Sequence, residues 1–382
     1  MTERKLMKDG FDGSAIRRIS KALRKTLPDF GENFPDFSEK RFQEQALNGI
    51  EKLELKQRVS HLVRVLHSSL PGDFEKAAKT LSQIPPYWDR GDESDPLAGF
   101  AAWPLIDYVG EYGLGHPLIS LELLKTLTPL FSAEFAIRPF IKEHFKLTHK
   151  HLKAWCKDPN KHVRRLVSEG TRPRLPWGQR LPQFIRDPQP VIELLERIKD
   201  DPSEYVRRSV ANNLNDISKD NPELVIQICS EWSKAATNER KWIIRQATRS
   251  LVRAGNPEVF PLLGYTDNPK ITIRNLRLDR EIVKIGEGLS FSFDIASASK
   301  TGQSFILDYA VYYMKANKKT SPKVFKLKAM TLDPDETTAV RKTHSFKAVT
   351  TRKHYEGEHA IELLINGLPC GILEFNLAAP KR

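Results

Sequence analysis

The chain has 382 residues, with 61 lysines and arginines against 48 aspartates and glutamates, a formal net charge of +13 and a pI of about 9.5. That length accommodates two domains with real cores, and the lack of any run of about 18 apolar residues excludes a membrane span. The basic excess favours a nucleic acid or another anionic surface through long-range electrostatics.

The opening M-T-E-R-K-L-M-K-D-G-F lacks the apolar stretch of a secretory signal. Cys156, Cys229 and Cys370 are far apart and odd in number. They argue for a reducing compartment, hence a cytoplasmic protein, and against a disulfide frame or zinc knuckle. The first 35 or so residues are charged and weakly periodic, which predicts a helical turn or two and then a mobile link at 31–37. Helical spacing starts near residue 38, where Phe42, Leu47 and Ile50 lead to Leu53. Val59, Leu62, Val63 and Leu66 then recur at three- and four-residue steps until Pro71-Gly72. Amphipathic stretches follow at about 73–83, 100–113, 117–131, 133–144, 146–157, 161–170, 188–200, 203–219, 222–235 and 238–254. Long Pro-rich interruptions at 85–96 and 171–182 point to loops with a role beyond connection.

One pattern occurs twice, D-P-N-K-H-V-R-R-L-V-S-E-G at 158–170 and D-P-S-E-Y-V-R-R-S-V-A-N-N at 201–213, an offset of 43 residues. Helical HEAT-type repeats have periods of about 40–47. In each copy Asp-Pro precedes the helix, where the acid can cap and the proline fits the first turn. A looser copy at 242–247 aligns Arg245 with Arg165 and Arg208, so stacked helix pairs would present a line of cations. On 203–219 the core face is Val206, Val210, Leu214 and Ile217. Arg208, Asn212 and Asp216 fall at i, i+4 and i+8, and Arg165 and Glu169 repeat the step one repeat earlier.

After Gly264 the rhythm changes to alternation, in S-F-S-F-D-I-A, D-Y-A-V-Y-Y-M, K-V-F-K-L-K-A and H-A-I-E-L-L-I. Asn366-Gly367 between two such runs predicts a tight hairpin. The fold expected is an α-solenoid of HEAT-like helical repeats over 1–265, followed by an all-β immunoglobulin-like sandwich over 266–382. Basic stretches at 315–323, 341–344 and 350–354 are either solvated loops or, for one or two of them, loops of the sandwich that reach a nucleic-acid groove and complete an encircling grip.

The segment S-E-G-T-R-P-R-L-P-W, followed by Y-V-R-R-S-V-A-N-N-L-N-D, resembles the AlkC branch of the AlkC/AlkD superfamily of HEAT-like-repeat DNA glycosylases. E-L-K-Q-R-V at 54–59, L-P-G-D-F at 70–74, F-A-A-W-P-L-I-D-Y-V-G at 100–110 and F-S-A-E-F-A-I-R-P-F at 131–140 extend the likeness. The terminal sandwich is similar to the Ig-like extension of one subgroup. The resemblance implies excision of alkylated bases, chiefly 3-methyladenine, from duplex DNA to start base excision repair. It also implies that Glu134, Arg165, Glu169, Trp177 and Asp216 sit where the family has active-site residues.

The chemistry of the residues is compatible. An alkylated purine leaves as a neutral base, so the barrier lies in positive charge growing on the deoxyribose. Glu169 and Asp216 can stabilise that charge or position water, with Glu134 in support and Trp177 against the sugar or the cationic lesion. Arg165, Arg172, Arg174, Arg207, Arg208 and Arg245 are candidate DNA-binding cations. Trp103 and Asp107 on 100–113, with Glu111 a turn on, could face the lesion too, although Trp103, Ile106 and Val109 could simply pack. His149 and His151 lack partners for a metal, and no cofactor motif appears. A monomer acting on damaged double-stranded DNA, with no membrane, metal or cofactor, is expected. The alternative is a non-catalytic HEAT-repeat scaffold that binds nucleic acid or protein.

Overall fold

The computed structural model describes residues 6–27, 37–348 and 353–379. The link expected at 31–37, apart from Phe37, and residues 350–352 of the last basic stretch lie outside them. The chain divides into two compact units, residues 1–220 and 221–382.

Helices of the first unit are α1 (Gly13–Thr26), α2 (Glu39–Leu47), α3 (Leu55–Ser69), α4 (Phe74–Ser82), α5 (Trp103–Tyr112) and α6 (Pro117–Leu127). They continue as α7 (Arg138–Glu143), α8 (Phe145–Trp155), α9 (Lys161–Thr171), α10 (Pro182–Arg186), α11 (Gln189–Ile198) and α12 (Glu204–Ile217). Apolar spacing located most of them, and Val59, Leu62, Val63 and Leu66 are buried along α3. Helix α1 corrects the expectation of a turn or two. It runs 14 residues, with Asp12 accepting the Ala15 amide at its start. Ile16, Ile19 and Leu23 are buried on one side, an i, i+3, i+7 face lost among its charges. The 133–144 stretch forms helix only from Arg138. Pro139 has no N–H to donate backward, so residues 133–137 remain a turn.

The 43-residue repeat has a matching set of bonds. Asp158 Oδ1 accepts from the Asn160 amide and Asp201 Oδ1 from the Ser203 amide, both at 2.8 Å. Arg164 Nη1 donates to the Asp158 and Pro159 carbonyls at 2.8 and 3.0 Å. Arg207 Nη1 repeats this with Asp201 and Pro202 at 2.7 and 2.9 Å. The helices are capped by Asn160 and Ser203, so Asp-Pro lies just outside each helix rather than in its first turn. Arg164 also grips Asp201 with two nitrogens at 2.5 and 3.0 Å, joining one repeat to the next.

The second unit begins with α13 (Pro222–Ser233), α14 (Asn238–Ala247), α15 (Arg249–Ala254) and α16 (Val259–Leu262). The expected single helix at 238–254 is broken at Thr248, whose φ −93° and ψ 0° leave the helical range. Strands follow as β1 (Ile271–Leu278), β2 (Ile282–Lys284), β3 (Gly288–Ser297), β4 (Gln303–Met314), β5 (Thr320–Leu332), β6 (Thr337–Ser345), β7 (Gly357–Ile365) and β8 (Leu368–Ala378). One sheet has the order β1-β3-β6, the other β2-β8-β7-β4-β5. Phe291 and Phe293 of β3 share a core with Phe305, Leu307 and Tyr309 of β4, so the sheets pack face to face. Helix gives way to strand between Leu262 and Ile271, whereas by compactness α13–α16 group with the strands.

The β7–β8 hairpin turns through Asn366 and Gly367, with φ 46° and 75°, as the dipeptide predicted. A Cβ on Gly367 would lie 2.2 Å from the Gly255 Cα. Gly367→Ala is therefore expected to destabilise the protein by about 2–4 kcal/mol through overlap and backbone strain, measured by denaturant unfolding.

Candidate active site

Helices α9 and α12 pack together and hold one chain of alternating charges. Arg165 Nη1 donates to Glu134 Oε2 at 2.9 Å and to Ser132 Oγ at 2.8 Å. Its Nη2 lies 3.6 Å from Glu169 Oε2. Arg172 Nη1 donates to Glu169 Oε1 at 2.6 Å and its Nε to Asp216 Oδ2 at 2.8 Å. Lys219 closes the chain on Asp216 Oδ1 at 2.8 Å. Glu134, Glu169 and Asp216, called out from three separate parts of the sequence, thus share two guanidiniums.

Local structure explains the convergence. Arg165 and Glu169 are one turn apart on α9, and Arg172 lies where that helix ends. Asp216 reaches the same spot from the last turn of α12, and Glu134 from the turn before α7. Glu169 and Asp216 are 4 % and 2 % exposed, so their bonds replace water. Burial pushes the Arg165 and Arg172 pKa values down, and the adjoining carboxylates more than reverse it. Fully buried Arg138 donates to the Gln179 and Gly170 carbonyls at 2.6 and 2.8 Å. Burial, with Arg172 nearby, pulls its pKa down to about 10 against the three carboxylates. A fixed field of paired charges results, suited to a reacting centre that gains positive charge.

Ser132, Ser209, Lys219, Tyr205 and Arg138 were missed. Ser209 Oγ donates to Glu169 Oε2 at 2.6 Å, and the Tyr205 ring lies 4.7 Å from the Arg165 guanidinium. Ser209 precedes Asp216 by seven residues and Lys219 follows it by three. Helical spacing could have found both. Arg138 had no such signal, because it acts through backbone carbonyls.

The other expected residues lie differently. Trp177 is 55 % exposed at the tip of the 172–181 loop, with a left-handed φ of 62°. Its carbonyl accepts from Lys56 of α3. A non-glycine residue in that region is strained, a common mark of function. Arg174 grips Asp220 with two nitrogens at 2.7 and 2.6 Å, and exposed Arg208 pairs with Glu204 on its own helix. Arg207 makes the backbone bonds of its repeat. Arg245 is exposed on α14 of the second unit. Arg165 and Arg208, equivalent in the repeat, therefore differ: the first turns into the carboxylates and the second outward.

On α5, Trp103, Ile106 and Val109 are buried, as packing alone predicts. Asp107 lines a cleft of about 380 Å³ with Val63, Arg64, Glu111, Tyr112 and Phe135. Burial raises its pKa to about 7, against the Trp103 indole N–H at 2.9 Å and Lys56, with Glu111 adding to the rise. The unfolded value is 3.8, so the folded state binds the extra proton. Stability from this group is full below pH 4 and lost as pH rises through 7. Asp107→Asn is expected to raise stability at pH 8.5, by on the order of 3–4 kcal/mol at most, and less at pH 5. Thermal unfolding at the two pH values checks this.

Among the described residues no group of three His, Cys, Asp or Glu could hold a metal, and no helix is long and apolar enough to cross a membrane. His149 bonds the Pro190 carbonyl and His151 lies 3.3 Å from Glu122. The three cysteines are unpaired, their thiol pKa values pushed up by burial to about 11 or 12.

Known proteins resemble this chain in sequence and fold. Residues 131–251 match the family described as DNA alkylation repair enzyme. Residues 272–379 match the C-terminal Ig-like domain of the uncharacterised protein YhaZ. YhaZ of Bacillus subtilis is 36 % identical over 346 residues, 90 % of this chain and 94 % of that one. An alkylpurine DNA glycosylase of Pseudomonas fluorescens, AlkC, was solved bound to DNA containing an abasic-site analogue. Its structure is 35 % identical and superposes with a TM-score of 0.85 over 98 % of this chain and 100 % of that one. On likeness extending through both units, the chain belongs to the AlkC-type alkylpurine DNA glycosylases of the DNA alkylation repair family, in the group with a C-terminal Ig-like domain.

Proposed function

We propose that this chain is a monofunctional glycosylase that hydrolyses the N-glycosidic bond of cationic alkylated bases, chiefly 3-methyladenine, in duplex DNA and so begins base excision repair. The observation that carries this reading is the shared network of Glu134, Glu169 and Asp216 around two guanidiniums. A pure phosphate binder gains nothing from carboxylates among its cations. A cationic base departs neutral, and no acid is required. What lowers the barrier is a fixed anion beside the oxocarbenium-like sugar, the part assigned to Glu169 and Asp216, with Glu134 in support. One of these carboxylates also positions the attacking water. Trp177, exposed on strained backbone, packs on the deoxyribose or faces the cationic lesion.

The helical segment over 1–265 is read as HEAT-like repeats, supported by the duplicated Asp-Pro and arginine bonds. The sandwich over 266–382 is read as a DNA contact. Support comes from exposed Lys315, Lys318, Lys319, Lys323 and Arg341. The unpaired, protonated thiols suit a cytoplasmic protein, and a monomer suffices because the network is complete within one chain.

Incubation with methylated duplex DNA and identification of the released bases tests the activity. Release of 3-methyladenine is expected, and binding without release would favour the scaffold reading. Phosphate contact is assigned first to Arg174, Arg208 and Arg245. Each replaced by Ala should flatten the salt dependence of duplex binding by about one phosphate, or 0.9 in logarithmic slope, without changing which base is released. Unchanged slopes in all three would assign the phosphate contacts to other residues.

A further inference from the structure

We propose that the cleft between α3 and α5 is a binding site for a free aminopurine, the base set loose by the reaction; its identity as product rests on the function proposed above, while the site itself does not. The cleft's volume of about 380 Å³ is at the small end for small-molecule pockets. Its apolar walls include Val59, Val63, the Phe135 ring and Tyr112, which is itself stacked on His67 at 3.9 Å. Such walls suit the faces of a flat heterocycle.

The polar groups suit its edge. Asp107 Oδ2 accepts from the Trp103 indole, but its buried Oδ1 has no partner. A buried carboxyl oxygen without a hydrogen bond is costly and calls for a group to complete it. Protonated, Oδ1 is a donor, and a purine ring nitrogen is a matching acceptor. Glu111, one turn further on the same helix and exposed, offers a carboxylate to the exocyclic amine. Paired acidic groups disfavour an anion.

The cleft also borders the candidate active site. Phe135, on its wall, follows Glu134 in the turn before α7. Lys56 lies 5.6 Å from the centre of the Phe135 ring and bonds the Trp177 carbonyl. A base leaving near Trp177 thus has a flat, acid-edged cleft within a few residues of its exit.

The departing base is neutral, so it pairs with the protonated form of Asp107. The charged groups that act on this carboxyl are Lys56 from α3 and Glu111 from its own helix. Arg64 of α3 lines the cleft as well, and the 133–137 turn contributes only Phe135 and Ala136 to it. Ligation should therefore be tight below pH 7 and weaken as Asp107 ionises.

The test is calorimetric titration of the full-length, DNA-free protein with adenine and with 3-methyladenine at pH 6 and pH 8.5. Saturable binding at pH 6 that weakens about tenfold or more at pH 8.5 is expected. Asp107→Asn should abolish the pH dependence, and Glu111→Gln, a change at an exposed position, should weaken binding severalfold. Absence of saturable binding at pH 6, tighter binding at pH 8.5, or wild-type behaviour in both variants would overturn the proposal. Base release from methylated DNA is measured on the same preparation. Release without base binding overturns the cleft and spares the glycosylase; base binding without release supports the cleft and overturns the glycosylase.

Discussion

Asp216→Asn and Glu169→Gln are each expected to slow base release by about 10²–10³-fold, the usual scale for one fixed electrostatic group, while affinity for abasic-site duplex changes only severalfold. Both carboxylates act on charge that appears in the transition state, so their loss should fall on the chemical step. The two amides keep one accepting oxygen for Arg172 but place an NH2 group toward a cation, Lys219 beside Asp216 and Arg165 beside Glu169. A stability loss of about 1–3 kcal/mol is expected beside the rate effect. Single-turnover release, binding and thermal unfolding separate the three terms. Equal losses of rate and affinity, or an undiminished rate, would remove these acids from the chemistry.

The second large effect is expected at Arg172. Its guanidinium touches both Glu169 and Asp216 and is only 8 % exposed. Arg172→Ala leaves two buried carboxylates without their common partner, which costs about 3–5 kcal/mol where one member of a buried pair is removed. Without that charge, the two carboxylates also lose the fixed geometry on which their field depends. Base release should therefore slow by about 10²–10³-fold, measured by single turnover. Arg172→Lys keeps the charge but not the two-pronged geometry, and should recover part of the stability and little of the rate. The salt slope of DNA binding should stay unchanged in both variants. A slope flattened by one phosphate would return Arg172 to the backbone contacts expected from charge alone.

How far these residues could be read in advance differs from one to the next. Arg165, Glu169 and Asp216 stood out because a helix repeats its face every three or four residues, and a 43-residue duplication set α9 beside α12 in register. The switch to alternation after Gly264, and Asn366-Gly367 between two apolar runs, marked the strands and their hairpin by equally local rules. The long helix α1 escaped, since three large apolar residues among eight charged or hydroxyl ones give a faint pattern until a core forms over them.

What sequence alone determined, then, was the order of helices and strands, the duplicated Val-Arg-Arg step and which acids belong on polar faces. Local periodicity and backbone sterics carry that information within a few residues. Only the tertiary structure decided that Arg165 turns toward Glu134 while its repeat partner Arg208 faces water, that Arg172 bridges Glu169 and Asp216, and that Asp107 keeps an unpartnered oxygen in a cleft. Those outcomes depend on which charges lose their water together, and desolvation is set by side chains far apart in the chain that packing brings within about 3 Å.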